Sequence, residues 1–214
     1  MNAILPMPAI TAVRQKEVVL YGTMHSDRFI SLCGRLSCIR GLAFNMTSID
    51  QEMLLEDPSR GGVSVNMRKE STTLINSVWK IRYADPPIPD DECPAIVRVS
   101  RSYLGITIPD DYSMIFLVTG LGLQFKSRLF SECYVFTRNR VKVIIERQRS
   151  CDSATGFQPF SNLYLVTMIA FLDEDEEHLP VARELRTLAN ELEPIVIMGK
   201  TDYGCRIVAD ADQV

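Results

Sequence analysis

L-Q-F-K-S-R-L-F (Leu123 to Phe130), C-Y-V-F-T-R (Cys133 to Arg138) and R-V-K-V-I-I-E-R (Arg140 to Arg147) follow one another closely, each alternating apolar with polar or basic side chains. A period of two over such lengths marks a strand with one dry face and one wet face. Just before them, D-D-Y-S-M-I-F-L-V-T-G-L (Asp110 to Leu121) is apolar almost all round and predicts a helix; A-I-V-R-V (Ala95 to Val99) is strand-like. The same alternation recurs along the chain. Val18 and Leu20 share a face; Ile49, Met53 and Leu55 oppose Asp50 and Glu52; Val63, Val65 and Met67 oppose Ser64, Asn66 and Arg68. Trp79, Ile81 and Tyr83 oppose Lys80 and Arg82, while Val97 and Val99 oppose Arg98 and Ser100. Leu123, Phe125 and Leu129 oppose Gln124, Lys126 and Arg128, and Val141, Val143 and Ile145 oppose Arg140, Lys142 and Glu146. Asn162 to Leu172 differs, being apolar on both faces, so a further element must cover its outer side.

Two more helices are predicted to serve as cover. One opens with Ser26 as N-cap, places Phe29, Leu32, Cys33 and Leu36 on one stripe and ends near Gly41. The other has Pro180 in its first turn, then Val181, Leu185, Leu188, Ala189 and Leu192 at helical spacing, and stops at Pro194. Gly120 and Gly122 read as the end of the middle helix. Asp85 to Pro94 and Ser150 to Pro159 read as loops too short to separate domains. The fold class that follows is mainly β with α: an antiparallel β-barrel of about nine or ten strands with three flanking helices, since closure removes exposed edges. The apolar faces are expected to point inward, with Trp79, Phe125 and Leu165 filling the barrel. Residues 15–208 form one domain in this reading, between tails at 1–14 and 209–214.

Composition narrows the function classes. The 214 residues, 46% hydrophobic and 23% charged, suffice for one sizeable core. A formal net charge of −4 weighs against a nucleic-acid surface. No run approaches the ~20 apolar residues of a membrane helix, and the proline-containing start lacks a secretion signal's pattern. Cys33, Cys38, Cys93, Cys133, Cys151 and Cys205 are scattered, as reduced thiols of an intracellular protein are. The two histidines, His25 and His178, stand at helix starts and cannot supply the roughly four converging ligands of a zinc site. No phosphate loop or nucleophile elbow is present, so no catalytic residue, metal or cofactor is predicted. The acidic run Asp173 to Glu177 reads as a solvated loop before a helix, and the cations Lys126, Arg128, Arg138, Arg140, Lys142, Arg147 and Arg149 as the wet face of a sheet.

The order of these elements, together with V-V-L-Y-G-T (Val18 to Thr23) and S-D-R-F-I-S-L-C-G-R-L (Ser26 to Leu36), resembles the subunit 18 family of the Mediator transcription complex, over roughly Lys16 to Ile197. That resemblance implies a nuclear, non-catalytic barrel that pairs with a related barrel, Mediator subunit 20, and receives the C-terminal helix of Mediator subunit 8. It would act through protein contacts in the Mediator head, and only indirectly on RNA polymerase II. The architecture is also similar to that of triphosphate tunnel phosphohydrolases, whose inner strand carries alternating Glu, Glu and Lys; here the first strand has Glu17 alone. A barrel holding a small apolar ligand is the other alternative. On a helical wheel Met114, Leu117, Val118 and Leu121 form one apolar face of the middle helix, and Tyr112, Ile115 and Phe116 another. A barrel wall covers only one face, so Tyr112, Ile115 and Phe116 are the expected partner-binding residues.

Overall fold

In the computed structural model, residues 13–60, 63–71, 79–88, 97–108, 111–152 and 156–200 are described. Nine strands are present among them: β1 (Val13–His25), β2 (Ala43–Asp57), β3 (Val63–Ser71), β4 (Trp79–Pro87), β5 (Arg98–Ile108), β6 (Gln124–Arg138), β7 (Val141–Asp152), β8 (Gly156–Pro159) and β9 (Leu163–Asp173). The helices are α1 (Phe29–Cys38), α2 (Asp111–Gly120) and α3 (Leu179–Leu192). Hydrogen-bonded neighbours run β6-β2-β3-β4-β5-β1-β9-β7, and β7 pairs in turn with β6, so eight antiparallel strands close into a ring. β8 adds to the far end of β7, making a hairpin of the Ser150 to Pro159 stretch that the sequence suggests is a loop. Likewise β4 continues through Asp85 to Pro87, where Ile88 N–H donates to the Val99 carbonyl at 2.7 Å. Val13 and Arg14, expected in the N-terminal tail, begin β1; the rest of that tail, the rest of the expected loop and residues 201–214, which include the expected tail at 209–214, lie outside the described residues.

The two faces of the ring are the reverse of the sequence expectation. Val18 and Leu20 of β1, Val141, Val143 and Ile145 of β7, and Val166, Met168, Ala170 and Leu172 of β9 form one buried cluster. Its other half is Leu32 and Leu36 from α1 and Val181, Leu185, Leu188 and Leu192 from α3. Both helices lie against the exterior, so the best-patterned apolar faces point outward. They supply the cover that β9 requires on its outer side, with Phe29 of α1 stacked on Tyr164 at 4.8 Å. A second, smaller exterior cluster joins Met53, Leu55, Met67, Trp79 and Ile108 to Met114 of α2. Trp79 therefore lies under a helix rather than inside the barrel, and Phe125 is 58% exposed. A register shift between Leu54 and Leu55 against β6 separates Phe125, paired with Leu55, from Leu129, paired with Glu52, so those two do not share a face.

Local signals at the helix ends differ in their outcome. Ser26 starts a single 3-10 turn, Ser26–Arg28, and does not cap α1, whose N-cap is Arg28 with no side-chain hydrogen bond. Pro180 does stand in the first turn of α3. Gly122, at φ +69°, follows the end of α2, where Leu123 N–H donates to the Val118 carbonyl. Cys133 is buried, Cys33 is partly buried and Cys38 is exposed, and these three are free thiols.

After α3 the chain crosses β1. Tyr21 and Gly199 exchange two backbone hydrogen bonds of 2.7 Å, and Val196 and Met198 join the large cluster. The crossing requires a residue without a side chain at position 22. A Cβ on Gly22 would stand 2.7 Å from Met198 Sδ, 2.8 Å from Val196 Cγ2 and 2.9 Å from the Ile197 carbonyl oxygen. Gly22→Ala should therefore destabilise the domain by about 1–3 kcal/mol in urea unfolding, as overpacking does; a neutral or stabilising result would contradict this close approach.

Candidate functional site

The lumen receives the side chains that alternate away from the helices. Among them Val19, Val135 and Ile169 are buried and belong to neither exterior cluster. Beside them lies a polar patch carried by three adjacent strands. Ser48, Cys133 and Glu146 form one cross-strand row of β2, β6 and β7, and Asp50, Ser131 and Gln148 form the next. Arg68 of β3 reaches into it: its Nε donates to Asp50 Oδ2 at 2.7 Å, its Nη2 lies 2.7 Å from the same oxygen, and Nη2 donates to Cys133 Sγ at 3.0 Å. Nη2 also stands 3.8 Å from Glu146 Oε2. β3 and β7 are three strand spacings apart, about 14 Å along a sheet. Arg68 and Glu146 meet only because both point to the concave side, which places the patch inside the ring. Asn66 donates to Glu52, and Ser131 Oγ donates to Glu146 Oε1 at 2.6 Å.

This arrangement corrects the expectation of an apolar interior, and it could not have come from Glu17 alone. Glu17 is buried, and Asp50, Glu52 and Glu146 add three further lumen acids. The signal was on β2, where Asp50 and Glu52 alternate against Met53 and Leu55; the error lay in choosing which face was inside. Burial works against the Arg68 charge, yet Glu146, Cys133, Asp50 and Glu52 together hold its pKa well above the ordinary value. Burial also pushes the Glu146 carboxyl above the usual range, against the pull of Arg68. Among the described residues no group of three or more His, Cys, Asp or Glu is placed to hold a metal ion.

The expected partner-binding residues stand on the opposite side of the wall. Asp111, the first residue of α2, accepts from Trp79 Nε1 at 2.7 Å and Lys69 Nζ at 2.6 Å. These hydrogen bonds, from Lys69 first, lower its pKa, and they anchor the helix on the wall where Met114 is buried. The face carrying Tyr112, Ile115 and Phe116 is thereby turned to solvent, at 82%, 59% and 75% exposure. Ile115 and Phe125 also border a cleft of about 370 Å³ with Met53, Trp79, Met114 and Arg128.

The charged surface is largely engaged within the chain. Glu174 pairs with Arg14 at 3.2 Å, Glu176 with Arg140, Lys126 with Glu56 at 2.9 Å and Arg138 with Glu184 at 3.6 Å. Glu132 accepts from Tyr134 at 2.6 Å and from Arg149; burial would raise its pKa, but these two hydrogen bonds hold it lowered. The basic series and the acidic run thus tie strands and loops together. No helix among the described residues is long and apolar enough to cross a membrane.

Glu146 gives a pH dependence whose sign is fixed. A carboxyl with a raised folded-state pKa favours folding while protonated, and loses that contribution as pH rises above the ordinary glutamate range. Glu146→Gln should therefore gain stability relative to the parent chain between about pH 4 and about pH 8. Denaturant unfolding at both pH values checks this; a variant that loses ground as pH rises would show that the ionised Glu146–Arg68 pair is net stabilising.

Three likenesses accompany this geometry. A protein of the subunit 18 type, the "Mediator of RNA polymerase II transcription subunit 18" of Caenorhabditis briggsae, is 29% identical over 201 residues, 90% of this chain and 85% of that one. A chain in the Schizosaccharomyces pombe Mediator head module shares the fold with a TM-score of 0.68 at 12% identity, covering 87% of this chain and 98% of that one. A Pyrococcus horikoshii protein shares it with a TM-score of 0.62 at 14% identity, covering 91% and 99%. The family model described as "Med18 protein" matches residues 34–205, and the chain belongs to the Mediator subunit 18 family.

Proposed function

We propose that the chain is a non-catalytic subunit of the Mediator head that acts in the nucleus as a coregulator of RNA polymerase II through protein contacts. The observation that carries this reading, beside family membership, is the face of α2. A helix apolar on both sides is anchored by Asp111 and Met114, and it offers Tyr112, Ile115 and Phe116 to a partner. Large aromatics presented together are the composition of an interface core. The partners that fit the family are the related barrel, subunit 20, and the C-terminal helix of subunit 8.

The lumen supports the non-catalytic part of the reading. Among the described residues, Asp50 Oδ2, Glu52 and Glu146 each have a partner in Arg68, Asn66 or Ser131, and no three acids gather on a common centre. A divalent cation needs several free oxygen ligands at one point.

Co-expression with subunit 20 and the subunit 8 helix should raise the melting temperature, because partners that bind the native state stabilise it by mass action. Phe116→Glu should abolish capture of the partners while the isolated chain keeps its circular dichroism spectrum. Unfolding of that variant would show Phe116 to be core; retention of the partners by a folded variant would place their site elsewhere.

A further inference from the structure

We infer that the lumen patch is a binding site for a primary ammonium group, with Asp50, Gln148 and Ser48 as its acceptors. Asp50 and Ser48 are each 3% exposed and Gln148 is 8% exposed. Among the described residues, Asp50 Oδ1, Gln148 Oε1 and Ser48 Oγ have no hydrogen-bond partner. Buried polar atoms are nearly always paired, and leaving one unpaired costs as much as its lost hydration. Three such atoms in two adjoining rows of the same concave face are therefore a set shaped for something that donates.

The neighbouring groups narrow the donor. Arg68 Nε and Nη2 go to Asp50 Oδ2 and Cys133, Ser131 Oγ goes to Glu146, and no donor reaches the open acceptors. Asp50 is a carboxylate with one oxygen engaged and one open, which favours a charged donor over a neutral one. A metal ion is disfavoured because Asp50 is the one charged ligand among the three open atoms, and among the described residues no three His, Cys, Asp or Glu side chains gather to hold one. An anion is disfavoured because Asp50 Oδ1 and Gln148 Oε1 only accept, and Asp50 is itself negative. A primary ammonium carries three donors and no acceptor, the complement in kind of two carbonyl-type oxygens and a hydroxyl. The patch can also be reached: Arg68 and Glu146 at its border keep 27% and 13% of their side chains exposed. The ammonium group can arrive on a free polyamine or on a lysine side chain.

The test is calorimetric titration of the full chain with spermidine at constant ionic strength. One saturable site is expected. Asp50→Asn and Gln148→Met should each weaken it about tenfold, the effect of losing one hydrogen bond to a charged group. Glu174→Gln, in the exterior acidic run, should leave it unchanged. Gln148→Met spares the Asp50–Arg68 pair, so a folding defect in the Asp50 variant would not remove the test. Absence of saturable binding, or equal affinity in both lumen variants and the parent chain, would overturn the inference and leave the three atoms to ordinary buried water. Repeating the titration on the assembled complex separates the sources. Retained binding points to a free amine, and binding lost on assembly points to a lysine delivered by a partner.

Discussion

Every strand of a closed ring divides its side chains between a narrow lumen and an exterior, and in this protein the drier half faces out. The rest of the architecture follows from that division. An apolar exterior has to be covered, so α1 and α3 lie across β1, β7 and β9, and α2 lies across the β2–β5 wall. A polar lumen has to be satisfied internally, so Arg68 reaches across to Asp50, Cys133 and Glu146. Removing one partner of such a buried pair is far more damaging than its net contribution suggests, because it leaves a charge uncompensated.

The same division shapes the surface. Three helices cover most of the exterior apolar faces, but among the described residues nothing lies above α2, the helix of least sidedness. Met114 of α2 is sealed against Trp79 and Met67, while Tyr112 and Phe116 remain open. Elsewhere ion pairs tie parts of the surface together, as at Glu174–Arg14 and Arg138–Glu184. The face of α2 with Phe125 beside it is thus one exposed apolar patch, Ile30 and Ile197 being exposed elsewhere, and ion pairs hold the barrel end and α3 in place.

Much of this was legible in the sequence. Period-two alternation marks β2, β6 and β7, a run apolar on both faces marks β9, and helical spacing marks α1 and α3, because these signals are local. The double-sided apolarity of β9 even required the helices that cover it. What alternation does not encode is which face is concave. That depends on the closing pair β6–β7 and on where the helices settle, both of which are long-range facts. Trp79 was accordingly assigned to the wrong side, although its burial was right. The register shift at Leu54 and Leu55 similarly breaks the alternation that runs unbroken in sequence from Phe125 to Leu129. The lumen patch was missed for the same reason: Ser48, Asp50, Ser131, Cys133, Glu146 and Gln148 come from three strands and are unremarkable in each.

The account rests most heavily on Arg68 and Asp50 meeting inside the ring, and a double-mutant cycle measures that contact directly. Arg68→Ala, Asp50→Ala and the double variant would be unfolded in urea beside the parent chain. The account predicts a coupling energy of about 1 kcal/mol or more, with each single variant less stable than additivity with the double would allow. Single effects that add to within ~0.5 kcal/mol would contradict it, and would mean that the two side chains do not share a buried lumen.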